Sequence, residues 1–561
     1  MLDTPMRVRP KQTLSMRTRD GIRLDADVYV PAGEGLFPVL LMRQPYGRAI
    51  ASTIVYAHPR WYAAQGYIVV IQDVRGRGTS AGKFRLFAHE VEDGEDSVEW
   101  AAALPGSSGR VGMYGFSYQG MTQLYAAQNC PQSLKAIAPA MTGYHLYEDW
   151  AYENDALCLQ LGLTWAIQLA AETARIKGDI AMYEALLAAA KHLPLDEPTP
   201  ASPKVLSAIE SFFSEWVNRP AADGYWQGLI PNLEQVSLPT FQVGGWFDPY
   251  LRGDLRLYQE MSARDSLPHQ LWIGPWCHIP WGRKVGAVDF GPAAISPIDR
   301  LQVQWFDWIL KRQAPALGVS DRPELLDTGS VNLFEMGRNQ WRRWASWPSE
   351  SASTALERVY YLQSTGLANI REDDGQILET PSSFSQLDTL VHDPWNPVPA
   401  LGGHSAIPAG SFERSAIDSR GDVLTYTSQP LEEEMSVAGI VEFWGAIATE
   451  SVSYDLCVVL SRVNGDRAYN LTQGYRRVET AAANGQKVKL PLHPTCFSLS
   501  FGDRLRISIS AACFPAYPIN PGTGEPSQMA HRSKAQIVSL AIALGGKNAA
   551  SLHLPTVATV R

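Results

Sequence analysis

The stretch RVGMYGFSYQG, residues 110–120, constrains this chain more than any other. An apolar run reaches Gly115, a serine stands at 117, a second glycine stands at 120, and helix-forming residues continue to about Gln128. Strand, tight turn and helix in that order make an elbow that strains its central residue. Small neighbours are needed there because the backbones crowd. An elbow of this kind belongs at the carboxyl end of a sheet strand, and the surrounding sequence supplies the sheet. IRLDADVYV (22–30) alternates like a half-exposed strand, while FPVLLMRQPYG (37–47) and YIVVIQDVRGRG (67–78) are apolar runs ending in Gly or Pro punctuation. DGEDSVEWAAAL (93–104) reads as a helix with acidic residues near its start, and LKAIAPA (134–140) as a further strand. Strands alternating with helices predict an α/β fold with a mostly parallel sheet.

A chain of 561 residues exceeds one hydrophobic core, and its rhythm breaks twice. From Thr142 to Val236 buried-strand runs give way to helical patterns such as DIAMYEALLAAAKHL. Sheet signals return at LPTFQVGGWFD (238–248) and HQLWIGPWCH (269–278). So long a connection reads as a helical cap inserted over the carboxyl edge of the sheet, with a separate helical domain as the alternative. After Asp321 short β-branched runs take over, among them RLRISIS (504–510), and predict a β-sandwich. The expected division is a first core part over 1–141, a cap over 142–236, a second core part over 237–321 and a β-rich domain over 322–561.

The net charge of −9 argues against nucleic acid as a partner. No run of about 18 apolar residues predicts a membrane span. Six cysteines at 130, 158, 277, 457, 496 and 513 form no CxxC pair, which favours a reducing, cytoplasmic setting. The polar, basic N-terminus shows no signal peptide. No HExxH, EF-hand or Cys/His ligand spacing is present, and GTSAGKF lacks the Gly-Lys-Ser/Thr of a phosphate loop, so no metal or cofactor is expected. A small-molecule substrate is the expected partner, and homo-oligomerisation is left open.

A serine nucleophile needs a base, and the base needs an orienting acid. In α/β-hydrolases the order is Ser, acid, His, each just beyond a strand. Asp248 follows VGGWF and His278 follows LWIGPWC, so both fit. His58, His89 and His145 precede the acid and break the order, and His392 and later histidines lie in the β-rich part. Cys277 has no elbow and reads as packing. Tyr46, in MRQPYG after an early strand, stands where a second oxyanion donor belongs; a plain turn tyrosine is the alternative. The first donor would be the Tyr118 N–H, at the start of the elbow helix.

GFSYQGMTQLYAA, GGWFDPYLRG, GPWCH, QPYG and QDVRGRGTSAGKF together resemble the cocaine-esterase-like (CocE/NonD) hydrolases, relatives of the X-prolyl dipeptidyl-peptidases. DPWNPVPALGG (393–403), RGDVLTYTSQPL and GDRLRISISAACFPAYPIN resemble that family's C-terminal jelly-roll domain, so the likeness spans nearly the whole chain. The resemblance implies an α/β-hydrolase core with inserted cap and C-terminal jelly roll. It also implies a catalytic triad of Ser117, Asp248 and His278 and an oxyanion hole of Tyr46 with the Tyr118 amide. Related α-amino-acid ester hydrolases hold a substrate ammonium with acids two and three residues after the catalytic aspartate. Here those positions are Tyr250 and Leu251, and an acid in the cap, Glu148 or Asp149, matches at most the third acid of that cluster. A serine hydrolase of carboxylic esters, with activated amides as a further substrate class, is the expectation. X-prolyl dipeptidyl-peptidase-like or acyltransferase activity is the runner-up, and a ligand-binding protein with an inactive core is the reading from another class.

Overall fold

The computed structural model describes residues 5–49, 53–311, 330–348, 355–480 and 487–558. Its centre is a ten-stranded sheet. In chain order the strands are β1 (Gln12–Arg17), β2 (Arg23–Tyr29), β3 (Phe37–Gln44), β4 (Ile68–Asp73), β5 (Ser107–Phe116) and β6 (Leu134–Ala140), then β7 (Thr240–Phe247), β8 (His269–Cys277), β9 (Val331–Glu335) and β10 (Gln340–Trp344). Spatially they run β1-β2-β4-β3-β5-β6-β7-β8-β9-β10. The run from β4 to β9 is parallel, and antiparallel β1, β2 and β10 close the edges.

Alternation along each strand divides the core into two layers, because successive side chains point to opposite faces. Leu41, Val70 and Met113 face α2 (Glu90–Ala102) and α3 (Tyr118–Gln128), which contribute Val98, Met121 and Leu124. Leu40, Val69 and Tyr114 face the other way, against α1 (Pro59–Ala64) and a helix at Ile298–Leu310. Every residue of β4, β7 and β8 is buried, which explains their unbroken apolar runs.

Between β6 and β7 lies the helical insertion. Its principal helices are α4 (Leu159–Lys177), α5 (Ile180–Lys191) and α6 (Phe212–Asn218), preceded by a small hairpin at Tyr152–Glu153 and Ala156–Leu157. Local signals set these limits: α4 stops at Gly178, whose φ is +72°, and Asp179 caps α5 by accepting from Met182 N at 3.1 Å. The insertion packs over the loops that follow β3 and β4. Arg77 Nη1 donates to Leu169 O and Thr173 Oγ1, both at 3.1 Å.

The described residues between 355 and 557 build the β-rich domain around an eleven-stranded sheet, whose long hairpin Ser453–Asn464/Arg467–Glu479 pairs with Arg504–Ser510. The expected boundary at 321/322 lies outside the described residues. The hairpin β9–β10, which sequence reasoning assigned to the β-rich domain, instead extends the central sheet through β8, with Leu271 opposite Val331. Its apolar run reads the same whichever sheet it joins. Only a long-range pairing decides, and Met336 N also donates to Cys496 O at 3.0 Å, stitching the two sheets together.

Candidate active site

The elbow forms as its sequence requires. Ser117 directly follows β5 and stands at the N-cap of α3 with φ +61° and ψ −127°, in the left-handed half of backbone space that non-glycine residues avoid. Hydrogen bonds hold it there. Ser117 N donates to Ala140 O at 2.9 Å, while Ser117 O accepts from Gly120 N at 2.8 Å and from Thr142 Oγ1 at 3.0 Å. Gly120 is needed for space: a Cβ there would lie 2.7 Å from the Thr142 Cβ. Gly120→Ala is therefore expected to push Thr142 off the elbow and destabilise the protein by about 1–3 kcal/mol. A lower unfolding midpoint, with activity falling at the same time, checks this.

α3 starts at Tyr118, and the first backbone N–H groups of a helix have no intrahelical acceptor. The Tyr118 N–H is thus free to face a developing anion. Its side chain anchors that end of the helix. Tyr118 OH donates to Glu90 Oε1 at 2.7 Å, Arg43 Nη1 donates to Glu90 Oε2 at 2.6 Å, and the ring stacks on Phe87 at 4.5 Å.

The acid and the base meet as the chain order implied. Asp248 follows β7 and is fully buried; His278 follows β8 and is partly open. His278 Nδ1 lies 2.5 Å from Asp248 Oδ2, and Asp248 Oδ1 accepts from Tyr250 N at 2.8 Å. With Nδ1 taken, Nε2 is the ring nitrogen left for proton transfer. The His278 ring lies 5.3 Å from the ring of Phe116, the residue before the nucleophile candidate, and 5.1 Å from that of Tyr250. Cys277 donates to Ile279 O at 3.1 Å, and burial pushes its thiol up, so this sulfur is packed rather than activated.

Tyr46 completes the constellation. Its N–H donates to Gln44 Oε1 at 2.9 Å, which fixes the turn after β3. Its phenol neighbours the Ser117 side chain and accepts from Trp165 Nε1 at 3.0 Å. Burial pushes the phenol pKa up to about 12, an effect the Trp165 hydrogen bond opposes. Tyr46 therefore keeps its proton, as a hydrogen-bond donor must.

The remaining candidates are otherwise engaged. Glu148 and Asp149 lie 2.7 Å and 3.4 Å from Arg256 Nη2, and Asp149 also accepts from His145 N at 2.8 Å. Tyr250 stacks against Trp150 at 4.3 Å. Sequence reasoning missed two partners. Trp165 lies 119 residues from Tyr46. Glu153, from the cap hairpin, is buried among His404 at 2.7 Å, Tyr517 at 2.6 Å and Arg252 at 3.1 Å. No local motif marks either residue, because each is defined by what another domain places beside it.

Known proteins share this arrangement of domains. Residues 20–280 match the X-Pro dipeptidyl-peptidase (S15) family, and residues 324–553 match the X-Pro dipeptidyl-peptidase C-terminal non-catalytic domain. Cocaine esterase of Rhodococcus sp. (strain MB1 Bresler) is 30% identical over 542 residues, covering 90% of this chain and 91% of that protein. The chain belongs to the cocaine-esterase-like (CocE/NonD) hydrolase family. It is accordingly a serine hydrolase that cleaves esters. Solved structures agree on the fold. An aminopeptidase from a marine-sediment Thaumarchaeota archaeon superposes with a TM-score of 0.79 at 22% identity, covering 100% of this chain and 99% of that one. An α-amino acid ester hydrolase superposes with a TM-score of 0.77 at 20% identity, covering 98% of this chain and 96% of that one.

Proposed function

We propose that Ser117, His278 and Asp248 are the catalytic triad of a carboxylic-ester hydrolase, with Tyr46 OH and the Tyr118 N–H as its oxyanion hole. The observation that carries this is the His278–Asp248 contact of 2.5 Å beside a serine strained into its elbow. His278 Nε2 takes the Ser117 proton as Oγ attacks the ester carbonyl. Charge builds on the carbonyl oxygen, where the two donors meet it. The tetrahedral intermediate collapses, His278 hands the proton to the leaving alkoxide, and an alcohol departs. Water then attacks the acyl-enzyme, again deprotonated by His278, and the carboxylic acid leaves. Throughout, Asp248 holds the imidazole tautomer and stabilises the imidazolium.

The acyl group is proposed to be uncharged. Recognition of a substrate ammonium needs free carboxylates at the site, but Tyr250 and Leu251 carry none, and Glu148 and Asp149 face Arg256. Turnover of p-nitrophenyl esters of graded chain length, compared with aminoacyl-prolyl anilides, tests this. Ester turnover should dominate, and dominant anilide turnover would replace the proposal with dipeptidyl-peptidase activity. All six cysteines are unpaired, which supports placing the enzyme in the cytoplasm.

The phenol provides a further test of the oxyanion hole. Tyr46→Phe keeps the ring and the Gln44 contact of the backbone, removing one oxygen. The expected result is a kcat lower by about 10²–10³-fold with KM little changed, because the bond strengthens only as the oxyanion forms. The unfolding midpoint should shift by the equivalent of less than about 1 kcal/mol. An unchanged kcat in the folded variant removes Tyr46 from the oxyanion hole.

A further inference from the structure

We infer that Trp165, carried by the cap, is a positioning residue that aims the Tyr46 hydroxyl at the reacting carbonyl. The inference rests on the proposed donor role of Tyr46 and assigns a part in catalysis to a domain that supplies no triad residue.

An indole N–H can only donate. A phenol has one proton and accepts near the plane of its ring. When Trp165 Nε1 donates to Tyr46 Oη at 3.0 Å, it occupies an acceptor position, and the phenol proton must point elsewhere. The Ser117 side chain is a neighbour of that phenol. Trp165 therefore selects the rotamer of the O–H that an oxyanion hole requires. It also polarises the O–H bond, since a hydroxyl that accepts a hydrogen bond donates more strongly.

The indole can aim the hydroxyl only if it is itself fixed. Its ring packs against Phe212 at 4.7 Å, Trp150 at 5.3 Å, Trp216 at 6.0 Å and Tyr118 at 6.4 Å. The helix that bears it is pinned on both sides of Trp165. Five residues before it, Gln160 Oε1 accepts from Ile407 N at 3.0 Å, and Gln160 Nε2 donates to Ile407 O at 3.3 Å, both in the β-rich domain. Four and eight residues after it, Leu169 O and Thr173 Oγ1 accept from core Arg77 at 3.1 Å. The core and the β-rich domain thus jointly set the position of one cap helix, and that helix sets the direction of one O–H. A bare aromatic wall would need the ring but not its N–H.

The test is a double-mutant cycle of Trp165→Phe and Tyr46→Phe, read as kcat and KM on a p-nitrophenyl ester. Trp165→Phe alone should lower kcat about tenfold and change KM less than about threefold, a smaller loss than removing the donor itself. In the Tyr46→Phe background the same change should cost less than about twofold, because no hydroxyl remains to be aimed. An equal loss in both backgrounds would make Trp165 an apolar wall and overturn the inference. So would a full kcat for Trp165→Phe alongside an impaired Tyr46→Phe. A neutral Tyr46→Phe would instead overturn the oxyanion assignment itself. If the smaller ring unsettles the cap, shown by a lowered unfolding midpoint, 3-benzothienylalanine at position 165 replaces the N–H with sulfur at nearly constant shape. The tenfold kcat loss is expected there as well, and full activity would overturn the inference.

Discussion

Ser117→Ala is expected to abolish ester hydrolysis and labelling by a fluorophosphonate probe while the protein stays folded. The predicted loss in kcat is on the order of 10⁴–10⁶, because the members of a triad act as a unit and losing the nucleophile idles the other two. The fold should tolerate the change. Alanine occupies the φ of +61° about as poorly as serine does, and the bonds that hold the elbow run through the Ser117 backbone, which is unaltered. The unfolding midpoint should therefore move by the equivalent of less than about 1 kcal/mol. Ser117→Gly sharpens the point. Glycine relieves the backbone strain, so this variant should be equally inactive yet more stable by about 1 kcal/mol. Retention of more than about a tenth of wild-type activity in Ser117→Ala would remove Ser117 from the role of nucleophile.

The elbow was legible in sequence because everything that makes it is local. A buried strand, crowding glycines and a following helix lie in one continuous stretch from Ser107 to Gln128, and α3 spans Tyr118–Gln128 as its pattern implied. Asp248 and His278 were legible for a related reason. Each directly follows an apolar run, and a parallel sheet brings the carboxyl ends of its strands to one edge. Nothing local encodes the cross-domain contacts. The indole at 165 and the phenol at 46 meet only because a helical insertion folds back over the sheet. The hairpin β9–β10 failed in the opposite way: its local character was read correctly and its partner was not. A strand run declares its faces but not which edge it will join, and β8 offered the open parallel edge. The cap acids show a third limit. Glu148 and Asp149 carry no sign in sequence of what they face, and only Arg256, more than a hundred residues on, reveals that both lie against a cation of the core.

Asp248→Asn should cost about 10⁴-fold in kcat with little loss of stability, and its hydrogen bonds explain why so conservative a change is so severe. Asp248 Oδ1 accepts from the backbone N–H of Tyr250 at 2.8 Å, and Oδ2 faces His278 Nδ1 at 2.5 Å. Both sites are buried, so an asparagine must satisfy them with one oxygen and one NH₂. The Tyr250 N–H can only donate, so the amide oxygen turns toward it. The NH₂ is then left facing His278, which must offer Nδ1 as an acceptor and carry its proton on Nε2. That tautomer cannot take the proton of Ser117. Acylation should therefore slow together with probe labelling, and a pre-steady-state burst should disappear. Stability should hold, since the substitution removes a fully desolvated charge and keeps the shape. Asp254, also buried, provides the control. Burial holds its carboxyl well above the usual range, with the Asp248 charge adding to the effect, and it accepts from Thr142 N at 3.0 Å rather than contacting His278. Asp254→Asn should keep kcat within about threefold, because the amide keeps the shape of the side chain and its oxygen still accepts from Thr142 N. A nearly neutral Asp248→Asn beside an inactive Asp254→Asn would exchange their roles and overturn the assignment of the acid.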